Sequence, residues 1–162
     1  MTIRKAKAKD LSVILEIYDI ARRFMREHGN PHQWSGYGYP SEELLKDDIK
    51  KGQLYVVESL DGVEGVFMFN EGPDPTYLRI DGEWLNDEPY SVIHRIASRG
   101  RKKGVLKSAV KFATANATNI KIDTHEQNTV MQNALQGLQF QKCGTIYLEN
   151  GDPRIAYQLK IN

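Results

Sequence analysis

Residues 90–111, YSVIHRIASRGRKKGVLKSAVK, carry the reading that decides the fold. Val92, Ile93, Ile96 and Ala97 make an apolar run that leads into Ser98-Arg99-Gly100-Arg101-Lys102-Lys103-Gly104. Beyond it Val105, Leu106, Ala109, Val110 and Ala113 recur at helical spacing. The stretch reads as a strand, a short glycine-flanked basic loop and a helix. From Arg95 to Lys111 there are seven basic side chains and no acid. A loop running into a helix N-terminus offers unpaired backbone N–H groups and the positive end of the helix dipole. With lysine and arginine added, it suits a phosphate or pyrophosphate. The plainer alternative is a solvated basic helix face. The loop is not a Walker loop, because Val105-Leu106 follows Gly104 where Lys-Ser/Thr is needed. It is not a dinucleotide fingerprint, because G-x-G-x-x-G is missing. No aromatics are interleaved for base stacking, so no nucleic-acid partner is expected.

Elements on either side follow from the same rules. Thr2 to Ala6 is a short strand. Asp10 opens a helix running to His28, with Leu11, Ile14, Leu15, Tyr18, Ala21 and Met25 on one face. Residues 30–40, NPHQWSGYGYP, form a loop holding Trp34, Tyr37 and Tyr39. These aromatics either pack back onto the fold or line a substrate cleft. Ser41 caps a second helix that Gly52 ends. Leu54–Ser59 and Val63–Asn70 are strands joined by an Asp61-Gly62 hairpin turn. Residues 71–88 interrupt the sheet with six acids, Glu71, Asp74, Asp81, Glu83, Asp87 and Glu88, against Arg79. Ile120–Thr124 is a fifth strand. Asn128 opens a helix with Val130, Met131, Ala134, Leu135 and Leu138 on one face. Phe140–Leu148 and Ile155–Ile161 close the chain around the turn Asn150-Gly151-Asp152-Pro153. The order is β-α-α-β-β-β-α-β-α-β-β. It predicts an α/β (α+β) fold, a mixed and mostly antiparallel sheet of about seven strands flanked by about four helices, as one domain over residues 1–162.

Net charge is +1, so no global field argues for nucleic acid or membrane. The opening MTIRKAKAKD lacks the apolar core of a signal peptide, and no apolar run approaches a membrane span. The single cysteine, Cys143, excludes an internal disulfide and any multi-cysteine metal site. These features point to the cytoplasm, with no metal and no membrane partner.

The pattern Arg99-x-x-Lys102-x-Gly104 resembles the Gln/Arg-x-x-Gly-x-Gly/Ala loop of the general N-acetyltransferase (GNAT) superfamily. Asn128 with Met131, Leu135 and Phe140 resembles its second motif, Asn-x-x-Ala-x-x-x-Tyr-x-x-x-x-Phe. The element order matches too, and the likeness covers essentially the whole chain. NPHQWSGYGYPSEELL, GPDPTY, WLNDEPYSVIHRIAS and DPRIAYQ look like one bacterial branch of the superfamily. Two positions depart from it. Lys102 replaces the first motif glycine, and Leu135 stands where many members have the tyrosine that protonates the departing thiolate.

The resemblance implies acetyl-CoA as co-substrate and direct acetyl transfer to a primary amine. The acceptor would be a small cationic molecule or a peptide amine, and a homodimer is compatible. A non-catalytic acyl-CoA-binding or regulatory domain is the alternative, supported by the same two departures. The resemblance assigns cofactor contacts to Arg99, Gly100, Arg101, Lys102, Lys103, Gly104, Val105 and Asn128. By position, Tyr90 to Ser98 is the family's fourth strand, and the resemblance puts His94 and Ile96 on its pantetheine side. An alkyl amine is mostly protonated at neutral pH, so a base must take a proton. Candidates are Glu88, where the histone-acetylating branch carries its glutamate, and His94 and His125, since imidazole titrates near working pH. Trp34, Tyr37, Tyr39 and Trp84 are candidates to line the acceptor site. The acidic insert beside the cleft would attract a cation, or would simply solubilise its loop.

Overall fold

The computed structural model describes residues 1–34 and 38–161. The elements are β1 (Thr2–Lys5), α1 (Leu11–Glu27), α2 (Glu42–Lys50), β2 (Leu54–Ser59), β3 (Gly62–Glu71), β4 (Asp81–Gly82), β5 (Ser91–Ser98), α3 (Val105–Asn116), β6 (Asn119–Thr124), α4 (Thr129–Gly137), β7 (Gln141–Tyr147) and β8 (Pro153–Lys160). The strands form one eight-stranded sheet in the order β1-β2-β3-β5-β6-β8-β7-β4. The expected architecture, a mostly antiparallel sheet with four helices, is observed. The strand beyond the seven is β4, a two-residue piece of the acidic insert that pairs with β7.

The sheet separates two apolar clusters. On one face Ile14, Ile17 and Tyr18 of α1 pack with Leu45 of α2 against Val56, Val66 and Val92. On the other, Val105, Ala109 and Ala113 of α3 and Leu135 of α4 pack against Phe67, Ile93 and Ile120. Local signals account for the helix ends. The Ser41 Oγ accepts from the Leu44 N–H at 3.1 Å, and the Asn128 Oδ1 accepts from the Met131 N–H at 3.0 Å. Both are the caps that their side chains predict. Asp10 departs from expectation. A 3-10 turn at Ala8–Asp10 precedes α1, and Asp10 makes no side-chain cap to it. Its carboxylate instead accepts from the Lys7 N–H and from Arg4, at 2.7 and 2.8 Å. Val130 also departs, since it is half exposed at 50% while Leu135 of the same helix is fully buried.

Two irregularities shape the middle of the sheet. β5 and β6 run parallel and pair only at Ser91–Ile120 and Val92–Lys121. Beyond Val92 the two strands part. β5 also carries a bulge. Met68 of β3 pairs with His94 and Val66 with Ala97, so Phe67 alone faces both Arg95 and Ile96. Arg95 has a φ of 51°, an unusual backbone for a side-chain-bearing residue. Simple alternation would put His94 and Ile96 on one face. The bulge corrects that: the His94 ring lies 5.6 Å from Tyr77 of the first cluster, while Ile96 packs against the second.

Candidate active site

The parting of β5 and β6 opens a cavity of about 550 Å³. Ile93, His94, Arg95 and Ile96 line it from β5, and Ile122, Asp123 and Thr124 from β6. Asn128 and Met131 close it at the start of α4, and Trp34 and Tyr39 cover it from the α1–α2 side. The turn between β7 and β8 contributes Asn150 and Asp152, and the start of β8 contributes Arg154.

Inside it, His94 is held between two carboxylates. Its Nε2 lies 2.7 Å from Asp74 Oδ2, and its Nδ1 lies 3.9 Å from Asp123 Oδ2. Asp74 comes from the acidic insert, at the foot of the 3-10 turn Pro75–Tyr77, and accepts from the Thr76 N–H and hydroxyl at 2.9 and 2.7 Å. The Tyr90 hydroxyl accepts from the Asp74 N–H at 2.8 Å. The Tyr77 hydroxyl donates to Asp123 Oδ2 at 2.6 Å. Burial opposes ionisation of Asp74, but the hydrogen bonds from His94 and Thr76 outweigh it and bring its pKa to about 2. Tyr77 is fully enclosed, and burial together with Asp123 holds its phenol far above the usual range. It is a fixed donor rather than an acid that titrates.

The bulge is clamped from the α1–α2 side. The Tyr18 hydroxyl donates to the Arg95 carbonyl at 2.5 Å. The Arg95 guanidinium donates to both oxygens of the buried Asp48 and to the Tyr39 hydroxyl. Asn128 spends its side chain on the α4 cap and on Gln33 Oε1, 3.0 Å away. The Thr124 Oγ is buried in the cavity wall without a hydrogen-bond partner among the described residues.

Other expected residues stand elsewhere. Glu88 is exposed and outside the cavity, and its carboxylate accepts from Asn119 at 3.3 Å. The reason is topological: it precedes β5 at the end where β5 and β6 are still paired, away from the split. His125 lies past β6 and does not line the cavity; its Nδ1 accepts from the Gln127 N–H at 3.0 Å, and burial keeps its pKa below the usual imidazole range. Trp84 packs on Tyr77 with ring centres 5.4 Å apart, and Lys121 Nζ sits 4.0 Å above its ring, away from the cavity lining. Tyr37 lies outside the described residues. Of the six insert acids only Asp74 reaches the cavity; Glu71, Asp81, Glu83, Asp87 and Glu88 are exposed.

The basic loop lies at the α3 N-terminus, where Gly104 takes a φ of 95° and no side chain caps the helix. Arg99, Arg101, Lys102 and Lys103 do not share equal freedom. Arg99 pairs with Glu16 and Lys102 with Asp61, at 2.8 and 2.7 Å. Arg101 holds the fully buried Glu64 at 2.8 Å and donates to the Asp61 carbonyl. Among the described residues Lys103 has no ion-pair partner. The Gly100 N–H donates to the Ser98 hydroxyl at 3.1 Å, so the open features at this end are the helix N-terminus at Gly104 and Lys103.

The shape of this molecule is shared with solved structures. A GNAT-family acetyltransferase from Streptococcus agalactiae superposes with a TM-score of 0.89 at 30% identity, covering 99% of this chain and 95% of that one. The chain belongs to the GNAT family. A second structure, a putative acetyltransferase from Staphylococcus aureus, is 26% identical over the whole of both chains, with a TM-score of 0.71. A GNAT-family acetyltransferase from Listeria monocytogenes shares the fold at 21% identity and a TM-score of 0.72, covering 99% and 94%. No family model and no curated protein matches the chain in sequence. Acetyl transfer from acetyl-CoA is the activity these likenesses support. For a GNAT protein, parted central strands beside a free helix N-terminus suit an acyl-CoA. Among the described residues no helix is long and apolar enough to cross a membrane, and no group of three or more His, Cys, Asp or Glu is placed to hold a metal ion.

Proposed function

We propose that this GNAT protein moves an acetyl group from acetyl-CoA to a primary amine of a small molecule, by direct attack, with His94 as general base. The observation that carries this reading is the His94–Asp74 pair in the cavity wall, 2.7 Å apart, at the point where β5 and β6 part. With Nε2–H donating to Asp74, Nδ1 keeps a lone pair. An ammonium drawn in by Asp123 gives its proton to Nδ1, and the free amine attacks the thioester carbonyl. The proton taken from the amine leaves His94 still hydrogen-bonded to Asp74, 2.7 Å away. The backbone of the bulge is the natural oxyanion donor, since Tyr18 and Arg95 hold it rigid. The pyrophosphate would rest on the α3 N-terminus, with Lys103 and the amides from Arg101 to Val105 around it. Leu135, in the core, leaves the departing thiolate to be protonated by another group or by water.

Thiol release from acetyl-CoA with a panel of amines tests the reading. His94→Ala should lower kcat/KM by roughly 10²–10⁴-fold while CoA binding persists. Turnover at the parent rate in that variant would remove His94 from the chemistry. Thermal stabilisation by CoA with no turnover on any amine would favour the competing reading, a catalytically silent acyl-CoA-binding domain, to which the buried Leu135 lends support.

A further inference from the structure

We infer that the acceptor carries a carboxylate, or a comparable small anionic group, which Arg154 binds at the β8 wall of the cavity; this rests on the reading of the cavity as an acceptor site. Arg154 is 6% exposed and lines the cavity. Among the described residues no carboxylate lies within 4.0 Å of it, whereas Arg4, Arg22, Arg95, Arg99 and Arg101 each have one. Among the described residues its hydrogen bonds go to two carbonyls, Pro153 O at 2.8 Å and Gln33 O at 3.5 Å. A guanidinium has five N–H donors, so most of them remain for a ligand. A buried charge left unpaired is costly, and an anion arriving in the cavity would offset that cost.

The sheet register places this charge relative to the proposed chemistry. Asp123 pairs with Ala156 across β6 and β8. Arg154 is two residues from Ala156 and therefore on the same face of the strand. A molecule with its ammonium at Asp123 and His94 would reach Arg154 with an anionic end a short distance away. That is the charge pattern of an amino acid rather than of a polyamine. Asp152 also lines this wall, but its carboxylate accepts from the Asn150 side chain at 3.2 Å and is not in ion-pair range of Arg154.

The experiment compares matched sets: L-amino acids, the corresponding amino-acid amides and the decarboxylated amines. Each is measured by turnover with acetyl-CoA and by thermal shift with CoA bound. The parent protein should favour the carboxylate form by about tenfold to a hundredfold over the amide, the usual worth of a charged hydrogen bond. Arg154→Gln should erase that preference through a raised KM for the carboxylate forms, and Arg154→Lys should restore part of it. Equal handling of acid and amide by the parent overturns the inference without needing any variant. Carboxylate-dependent stabilisation without turnover would support the anion site while sinking acetyl transfer. Turnover on amines with no carboxylate preference would do the reverse. If Asp152 were the true counter-ion of Arg154, Asp152→Asn would bring out a carboxylate preference that the parent lacks, which also counts against the inference.

Discussion

Arg95 and Asp48 form a two-pronged ion pair between β5 and α2. Arg95 Nε lies 2.9 Å from Asp48 Oδ2, and Nη2 lies 2.9 Å from Oδ1. Asp48 is 1% exposed, so its carboxylate has no water as a substitute partner. Arg95 is also the residue with a φ of 51°, and its carbonyl accepts from the Tyr18 hydroxyl. The pair thus ties the strained point of β5 to two helices and sets where His94 and Ile96 diverge. Burial opposes the Arg95 charge, but Tyr39 and Asp48 hold its pKa above the ordinary value.

Removing one partner of such a pair leaves a buried charge alone. Asp48→Ala should cost about 3–5 kcal/mol of unfolding free energy, read by urea denaturation. Because the bulge loses its clamp, turnover should fall further than CoA affinity does. A variant that keeps parental stability would show that the pair is not what holds the bulge.

Asp74 predicts a pH dependence of stability. Its pKa is lowered from 3.8 to about 2 in the folded protein. A depressed carboxylate contributes stability that is fully present above its unfolded value and is lost as pH falls through its folded value. The contribution is about 2 kcal/mol at neutral pH. The difference in unfolding free energy between the parent and Asp74→Asn should be flat above pH 5 and shrink steadily toward pH 2. A difference that stays constant over that range would rule out the linkage.

Gly65 is where β3 meets the first turn of α3. A Cβ there would stand 2.4 Å from Val105 Cγ1 and 3.0 Å from the Ala97 carbonyl oxygen. Gly65→Ala must push α3 away from the sheet, at about 1–3 kcal/mol by the usual cost of overpacking. Since Gly104 and Val105 form the proposed phosphate site, CoA affinity measured by calorimetry should drop with stability. Unchanged affinity would place the phosphates elsewhere.

The paired basic loop predicts unequal roles for its side chains. Arg101→Ala leaves the Glu64 carboxylate buried without its partner, so thermal stability should fall, and Glu64→Gln in the same chain should restore part of it. Lys102 is exposed and engaged by Asp61, so Lys102→Gly should leave the salt dependence of CoA binding nearly unchanged. Lys103→Ala should flatten it. A strong change at Lys102 with none at Lys103 would reverse the assignment.

The likeness of residues 90–111 to a strand, a phosphate loop and a helix was plain because each depends on neighbours in the chain. Apolar periodicity, the Gly100 and Gly104 punctuation and the Ser41 and Asn128 caps act over three or four residues, and the structure carries them. Alternation along a regular strand would put His94 and Ile96 on one face. The register slip opposite Phe67, together with a carbonyl bond from Tyr18 and an ion pair with Asp48, breaks that regularity. Those partners lie 77 and 47 residues away along the chain. Asp74 was visible as one acid among six in the insert, with nothing to mark it as the one turned inward.

The sequence by itself therefore determined the order of elements, the family likeness and the glycine-flanked loop at the start of α3, all set by short-range backbone preferences. Only the tertiary structure decided which charges are free. The run from Arg95 to Lys111 holds no acid, yet Glu16, Asp61 and Glu64 fold onto Arg99, Lys102 and Arg101, and Asp48 onto Arg95. Arg154, one arginine among several in the sequence, is left facing a cavity with no acid in ion-pair range among the described residues. Charge pairing acts through space at a few ångströms, and spacing along the chain carries no record of it.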